Sequence, residues 1–398
     1  MRTRGFVPYA EAGSWAAGID SVITSVERLL TTSEAEAAIA LCESALKSLS
    51  KAIHHVDDSD GNFQELRDRL EHIHHRACQQ CAPNAIALAK RLFAIELRSD
   101  FDIFDRAAAR YADILGPAGM AAYRKLAEAE WTKVPPRDHR SKGIGRDHFR
   151  ITRIMETLAK LTGDVEQIVA VLRRDLSHPY DYLQIAEAYR DAGRMDASVY
   201  WAEQGVQIFS QRPDSRLQQF LAHEYHRLGR HQEAMHLAWA IFADRPCLET
   251  YGQLEKHARQ AEAWPIWREK AIAEIRKRAE RDNTLLVEIA LHEGDADWAW
   301  TEAQAGCSAH VLFKVAEQRQ RTHPGDAGRV YLSLAQREIP SSRYEGAVQL
   351  LVKAAALMAE AGQRDDFAEQ LDKLRTKYKL KRNLIREIEC YRKVLYFE

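Results

Sequence analysis

No stretch of this sequence approaches the roughly 20 consecutive apolar residues that a membrane-spanning helix needs, and its opening, MRTRGFVPYAEAGSW, lacks the apolar core of a secretory signal. These absences predict a cytoplasmic chain with no membrane partner. Net charge is almost absent too, with 57 Lys and Arg against 58 Asp and Glu, so no whole-molecule field draws the chain to nucleic acid or an anionic surface. Any such attraction has to be local. The six cysteines, Cys42, Cys78, Cys81, Cys247, Cys307 and Cys390, are too sparse for a disulfide framework, and reduced thiols are expected. Sustained alternation of apolar and polar residues with period two is missing, which leaves no candidate strand.

Recognisable catalytic signatures are missing as well. There is no Gly-x-Ser-x-Gly elbow, and the scattered Cys and His residues have no spacing that implies a dyad. The run Gly143-Ile144-Gly145 is too short for a glycine-rich phosphate fingerprint and follows no strand. A non-enzyme without a cofactor is the expectation.

What the sequence does contain is helical periodicity. Hydrophobic residues make up 46% and charged residues 29%, enough of both for a folded, water-compatible chain. Apolar side chains recur at spacings of three and four, which places them on one helix face. Trp15, Ile19, Val22, Ile23, Val26, Leu29 and Leu30 form such a stripe after Ser14, a candidate N-cap. Ser33 and Glu36 have the spacing of a capping box ahead of Ile39, Cys42, Leu46, Leu49 and Ile53, and the two helices are expected to pair antiparallel. Further helices are expected around Leu66–Ala77, Ile86–Phe93, Phe104–Ile114 and Met120–Trp131, the last two separated by Gly116-Pro117. The segment 135–148, PPRDHRSKGIGRDH, has two prolines, two glycines and no apolar period. It reads as a linker between an N-terminal helical subdomain, 1–134, and a repeat region, 149–398.

Beyond that segment the chain repeats itself. Matching Gly193 with Gly229 also matches Ala186 with Ala222, Tyr189 with Tyr225 and Ala202 with Ala238, an offset of 36 residues. This pattern resembles tetratricopeptide repeats, in which a small residue lets two helices approach, a tyrosine fills the groove, a glycine turns the chain and a proline, here Pro246, closes the unit. Similar turns are expected at Gly163, near Gln260-Ala261, and at Gly294, Gly325 and Gly362, giving seven hairpins. The fold class is therefore all-α, an α-solenoid of antiparallel helix hairpins, whose groove would receive a protein or peptide partner.

Several polar clusters compete with that bland reading. HIHHRACQQC puts His74, Cys78 and Cys81 on one helical face, but no second ligand pair accompanies them as structural zinc requires; simple packing is preferred. The loop Asp57-Asp58-Ser59-Asp60-Gly61 places Val56 where a calcium loop needs its first carboxylate, so these side chains are expected to cap the next helix. Two segments carry local positive charge. Residues 373–393 hold Lys373, Arg375, Lys377, Lys379, Lys381, Arg382, Arg386, Arg392 and Lys393 against Glu387 and Glu389. Residues 137–153 hold Arg137, Arg140, Lys142, Arg146, Arg150 and Arg153 against Asp138 and Asp147. If they met in space they could contact phosphates, with Arg140, Lys142, Arg146, Lys377, Lys379, Lys381, Arg382 and Arg386 as the contacts and Tyr378 or Tyr391 stacking on bases. An accessory nucleic-acid-binding protein is thus the alternative to a scaffold. Trp264, Trp267, Trp298 and Trp300 are read as inter-repeat packing, with one or two exposed.

HVDDSDG from His55, RLFAIELRSDFDIF from Arg91, YRKLAEAEW from Tyr123, FRITRIMETLAKLTGD from Phe149, EYHRLGRHQEA from Glu224, EGDAD from Glu293 and KLKRN from Lys379 together resemble the helical region that follows the zinc finger in bacterial SWIM-type zinc-finger proteins. That finger uses a Cys-x-Cys followed by a Cys-x-His, and this sequence has no Cys-x-Cys. The resemblance implies a helical-repeat module and carries no zinc or DNA site to any residue here.

Overall fold

The computed structural model describes residues 5–141, 148–279 and 282–397, and the chain divides into two compact units, 1–220 and 221–398. The expected all-α class of helix hairpins is the one observed. Among the described residues, extended pairing is confined to two isolated bridges, Val7 with Val56 and Arg137 with Asp175. None of the helices searched is long and apolar enough to cross a membrane.

The first unit contains α1 (Tyr9–Arg28), α2 (Ala35–Ala52), α3 (Asn62–Cys81), α4 (Ala85–Arg98), α5 (Ala107–Arg110), α6 (Ala112–Trp131), α7 (Phe149–Lys160), α8 (Val165–Leu172), α9 (Pro179–Asp191) and α10 (Met195–Ile208). Then follow α11 (Ser215–Arg227), α12 (His231–Asp244), α13 (Leu248–Gln260), α14 (Trp264–Arg278), α15 (Thr284–His292) and α16 (Ala296–Gln304). The chain ends with α17 (Ala309–Arg319), α18 (Pro324–Glu338), α19 (Tyr344–Glu360), α20 (Arg364–Lys377), α21 (Arg382–Cys390) and α22 (Arg392–Leu395).

Among the described residues α7–α20 follow one another as seven helix pairs, and one turn recurs. Gly193, Gly229, Gly294 and Gly362 all have positive φ, as does Glu262 where no glycine is present. In each case the next N–H closes onto the carbonyl five residues back: Arg194 to Tyr189, Arg230 to Tyr225, Ala263 to Ala258, Asp295 to Ala290 and Gln363 to Met358, at 2.7–3.0 Å between N and O. This is the Schellman arrangement, which satisfies carbonyls that the helix end leaves open. Gly163 also takes positive φ. Gly325 does not: Pro324 begins α18 and carries Gly325 into its first turn, so the expected turn glycine lies inside a helix, and the chain reverses before it.

Besides the turn glycines, the residues matched by the 36-residue offset are buried: Ala186 and Ala222, Tyr189 and Tyr225, Ala202 and Ala238. The offset extends to a pair not noticed in the sequence, because Arg194 lies over the Tyr189 ring and Arg230 over the Tyr225 ring. Helices α9 and α10 approach very closely at Gly205, where an added Cβ would sit 2.6 Å from Tyr182 Cβ and 2.7 Å from Leu217 Cδ2.

The N-terminal helices depart from several local expectations. Helix α1 begins at Tyr9 behind Pro8, which puts Ser14 inside it, and Ser33 takes positive φ while Glu34 precedes α2 with no side-chain cap, so neither proposed cap forms. Nor do α1 and α2 make the main pair. Both pack chiefly on α3, where Arg69 binds Asp20, Thr24 and Glu27 of α1. The helix expected over Phe104–Ile114 shrinks to α5, because Asp102, Phe104 and Arg106 take positive φ. Two buried carboxylates hold that irregular segment. Glu71 accepts from Phe104 N (2.7 Å) and the Arg110 guanidinium, while Glu96 accepts from Arg106 N (2.8 Å), Ala107 N (3.2 Å) and the Tyr123 hydroxyl. Gly116, with φ 53 and ψ −171, breaks α6 as Gly116-Pro117 suggests.

Two outcomes are expected from this packing. Gly205→Ala should destabilise the protein by about 1–3 kcal/mol, because neighbouring side-chain carbons must move to admit the methyl group; urea unfolding measures it. Burial pushes the Glu96 carboxyl up to about 7, so the folded state binds a proton that the unfolded state releases at lower pH. Its contribution is fully present below the unfolded carboxyl range and is lost as pH rises through about 7. Glu96→Gln should therefore flatten the fall in stability on raising the pH through that window, as read by thermal unfolding at constant ionic strength.

Candidate functional site

The first unit contains a cleft of about 440 Å³ bounded by the end of α6, the start of α7, α8 and the start of α9. Its walls form because the chain after α6 is pinned rather than loose. Arg137 N donates to Arg174 O (2.8 Å), Leu176 N donates to Arg137 O (3.0 Å), and the Arg137 guanidinium pairs with Asp175 at 3.1 Å. Arg174 donates to Val134 O (2.8 Å) and its guanidinium lies over Trp131. The first residues of the segment read as a linker are thereby part of the wall; residues 142–147 lie outside the described residues.

Val134 and Val171 supply buried apolar surface in the lining, and Phe149 and Tyr180 stand at its edge, 57% and 44% exposed. Each aromatic ring is backed by a cation, Arg153 for Phe149 and Arg216 for Tyr180. Arg106, Arg137, Arg153 and Arg174 face Glu156, Asp175 and Asp181 across the same space. Burial, helped by the neighbouring Asp175 charge, raises the Asp181 carboxyl to about 6, even though the His178 backbone N–H favours its ionised form. The result is a mixed surface, apolar below and charged at the sides, suited to holding an extended chain segment or a large side chain. The lining residues come from five separated segments, and apart from Arg137 and Arg153 none was singled out as a candidate contact from the sequence.

The two basic segments fall in different units. In the first, Arg140 is exposed, while Lys142 and Arg146 lie outside the described residues. Arg150 pairs with Asp100, and Arg153 with Asp102 and Asp105. In the second, Lys373 pairs with Glu369, Arg375 with Glu389 and the Tyr396 hydroxyl, and Lys381 reaches Ile339 O and the Tyr344 hydroxyl. Lys377, which lies over Tyr378, and Lys379, Arg382, Arg386 and Lys393 are exposed with no ion-pair partner among the described residues.

His74 and Cys78 are buried as packing residues, whereas Cys81 at the end of α3 is exposed. His74 is satisfied by the Tyr111 hydroxyl at 2.8 Å and Glu43 at 3.3 Å. Burial pushes the Cys78 and Cys42 thiols up to about 12, so both stay protonated. Among the described residues no group of three or more His, Cys, Asp or Glu is placed to hold a metal ion. Asp58 caps α3 by accepting from Phe63 N at 3.0 Å, the role assigned to the acidic loop. The four tryptophans Trp264, Trp267, Trp298 and Trp300 are all half-buried in aromatic and cation contacts, as in Trp267 against Trp239 and Lys270 over both rings. None is exposed, so the expectation of one or two exposed indoles is corrected: neighbouring helices and cations cover them.

No curated protein matches the chain. Solved structures similar to it include the TPR domain of P58(IPK), at 11% identity and a TM-score of 0.24 over 95% of this chain and 98% of that one. Yeast Tom70 matches at 12% identity and a TM-score of 0.23 over 95% and 100%. A circular tandem repeat protein matches at 16% identity and 0.19 over 95% and 89%. Scores this low carry no argument about function. Residues 1–384 match the family of unknown function DUF6880, and the chain belongs to that family.

Proposed function

We propose that this protein is a non-enzymatic, cytoplasmic helical-repeat scaffold that holds a protein or peptide partner, with the cleft of the first unit as its docking site. The observation that carries the reading is the pair Phe149 and Tyr180, large aromatic side chains left exposed at the lip of a preformed cleft with an apolar floor. Buried aromatic anchors dominate the energetics of many interfaces. Rings held by Arg153 and Arg216 lose little further freedom on docking. The resemblance to the helical region of SWIM-type proteins agrees with such a module and supplies no finger.

The second reading is nucleic-acid binding through the C-terminal segment. It is favoured by the exposed cations Lys377, Lys379, Arg382, Arg386 and Lys393, which lack ion-pair partners among the described residues. Against it stands the even balance of charge over the whole chain.

Affinity capture of the tagged protein from native lysate, with and without nuclease, separates the two. The scaffold reading expects a defined protein that survives nuclease and is lost with Phe149→Ala/Tyr180→Ala while the thermal melt is unchanged. Equal recovery by the double variant would remove the cleft from the proposal. For the second reading, a single-stranded oligonucleotide should bind with an affinity that falls steeply with salt, and Arg382→Ala/Arg386→Ala should lower the salt slope by about 1–2. An affinity indifferent to salt would sink it.

A further inference from the structure

Four histidines gather in the second unit. His223 and His226 lie on α11, His231 opens α12, and His257 lies on α13. Their rings form one continuous group. The His226 ring stacks on His257 at 5.1 Å and 14°, His223 lies 4.8 Å from His257, and His226 Nδ1 is 2.8 Å from His231 Nδ1. His257 is 1% exposed, and among the described residues neither of its ring nitrogens has a hydrogen-bond partner, nor does His226 Nε2. A buried polar atom without a partner costs stability, and three such atoms in one seam call for a role.

Metal binding does not supply it. Stacked rings direct their nitrogen lone pairs along parallel planes rather than toward one point, and no group among the described residues is placed to hold a metal ion. The seam is instead built so that a proton has nowhere to go. Lys256 on α13 acts on both His257 and His223, and the other imidazoles act on His257 and His226 in the same direction. Glu224 opposes this at His223, but its carboxylate is engaged by Arg227 at 3.3 Å. On the opposite face of α13 the charges are paired among themselves: Glu255 with Arg259 and with His292 of α15, and Arg268 of α14 with Glu293 of α15. No carboxylate in these contacts meets His257.

We propose that the stacked histidines form an acid-labile seam that keeps α11 and α13 packed while the rings are neutral and opens it when they take up protons. Neutral imidazoles stack without net repulsion. Protonation places like charges about 5 Å apart where water cannot screen them, and only separation of the helices hydrates them. Burial first, then the His223 and His226 charges, lowers the His257 ring to about 4. The sign follows from the linkage. The unfolded or opened chain binds protons through the ordinary histidine range, so the packing is fully present above that range and is lost as pH falls toward about 4. From about pH 7 to about pH 4.5, His257 alone should raise the opening equilibrium roughly a hundredfold.

Hydrogen exchange followed by mass spectrometry on the full chain, corrected for the intrinsic pH dependence of exchange, reads the seam directly. Peptides covering α11–α13 should gain exchange on acidification, and His257→Leu should suppress that gain. Because burying a leucine there could disturb folding, imidazole ¹⁵N shifts of the wild-type chain give an independent reading. His226 and His257 should stay neutral below the ordinary histidine range until protection is lost. Rings that titrate in the ordinary range with protection intact, or an acid response unchanged in His257→Leu, would overturn the proposal.

Discussion

The repeat region depends on one backbone event: a residue in the left-handed conformation at the end of a helix, followed by an N–H that closes onto the carbonyl five residues back. It occurs after α9, α11, α13, α15 and α19. The turn consumes carbonyls that would otherwise end in the interior, and it returns the next helix against the one just completed. Only then can the small residues act. Ala186, Ala202 and Gly205 let α9 and α10 approach until no further carbon fits between Gly205 and Tyr182. The tyrosine at the end of α9, and its counterpart on α11, fills the space beside that crossing and presents its ring to the arginine that follows the turn. Turn, small residue and tyrosine–arginine pair act as one device in α9–α10, and all three return together 36 residues later in α11–α12.

Charge is used differently in the two units. In the first, Glu71 and Glu96 are buried and surrounded by donors, and they hold a segment whose backbone takes unfavourable positive φ at three places. The donors compensate the burial, and the loop is fixed in a shape that no local preference would select. In the second, His226 and His257 of the histidine seam are buried, and three of their ring nitrogens have no partner among the described residues. A satisfied network gives rigidity, whereas an unsatisfied one leaves the packing sensitive to the protonation state of its members.

Much of the fold could be read directly. Helical periodicity, the 36-residue offset and the turn glycines follow from local rules, since the burying face of a helix and the need for positive φ leave marks on residue type at fixed spacing. Where a residue departs from the usual choice the marks mislead. Glu262 makes the same turn without a glycine, close to the Gln260-Ala261 turn expected there, while Gly325 suggested a turn and is helical because Pro324 precedes it. Ser14 and Ser33 looked like caps because capping depends on backbone angles that residue type only favours.

The sequence by itself determined that this chain is of the all-α class, built of helices that turn back on one another, and that Ala186, Tyr189 and Gly193 play parts repeated 36 residues later. These are properties of neighbours within one or two helical turns. Tertiary structure alone decided that α1 and α2 both settle on α3, that Trp131, Phe149 and Tyr180 share a cleft, and that His257 faces His223 and His226. Those groupings join side chains from separate helices, and their meeting is set by how the helix faces interlock, a geometry that no spacing along a single chain records.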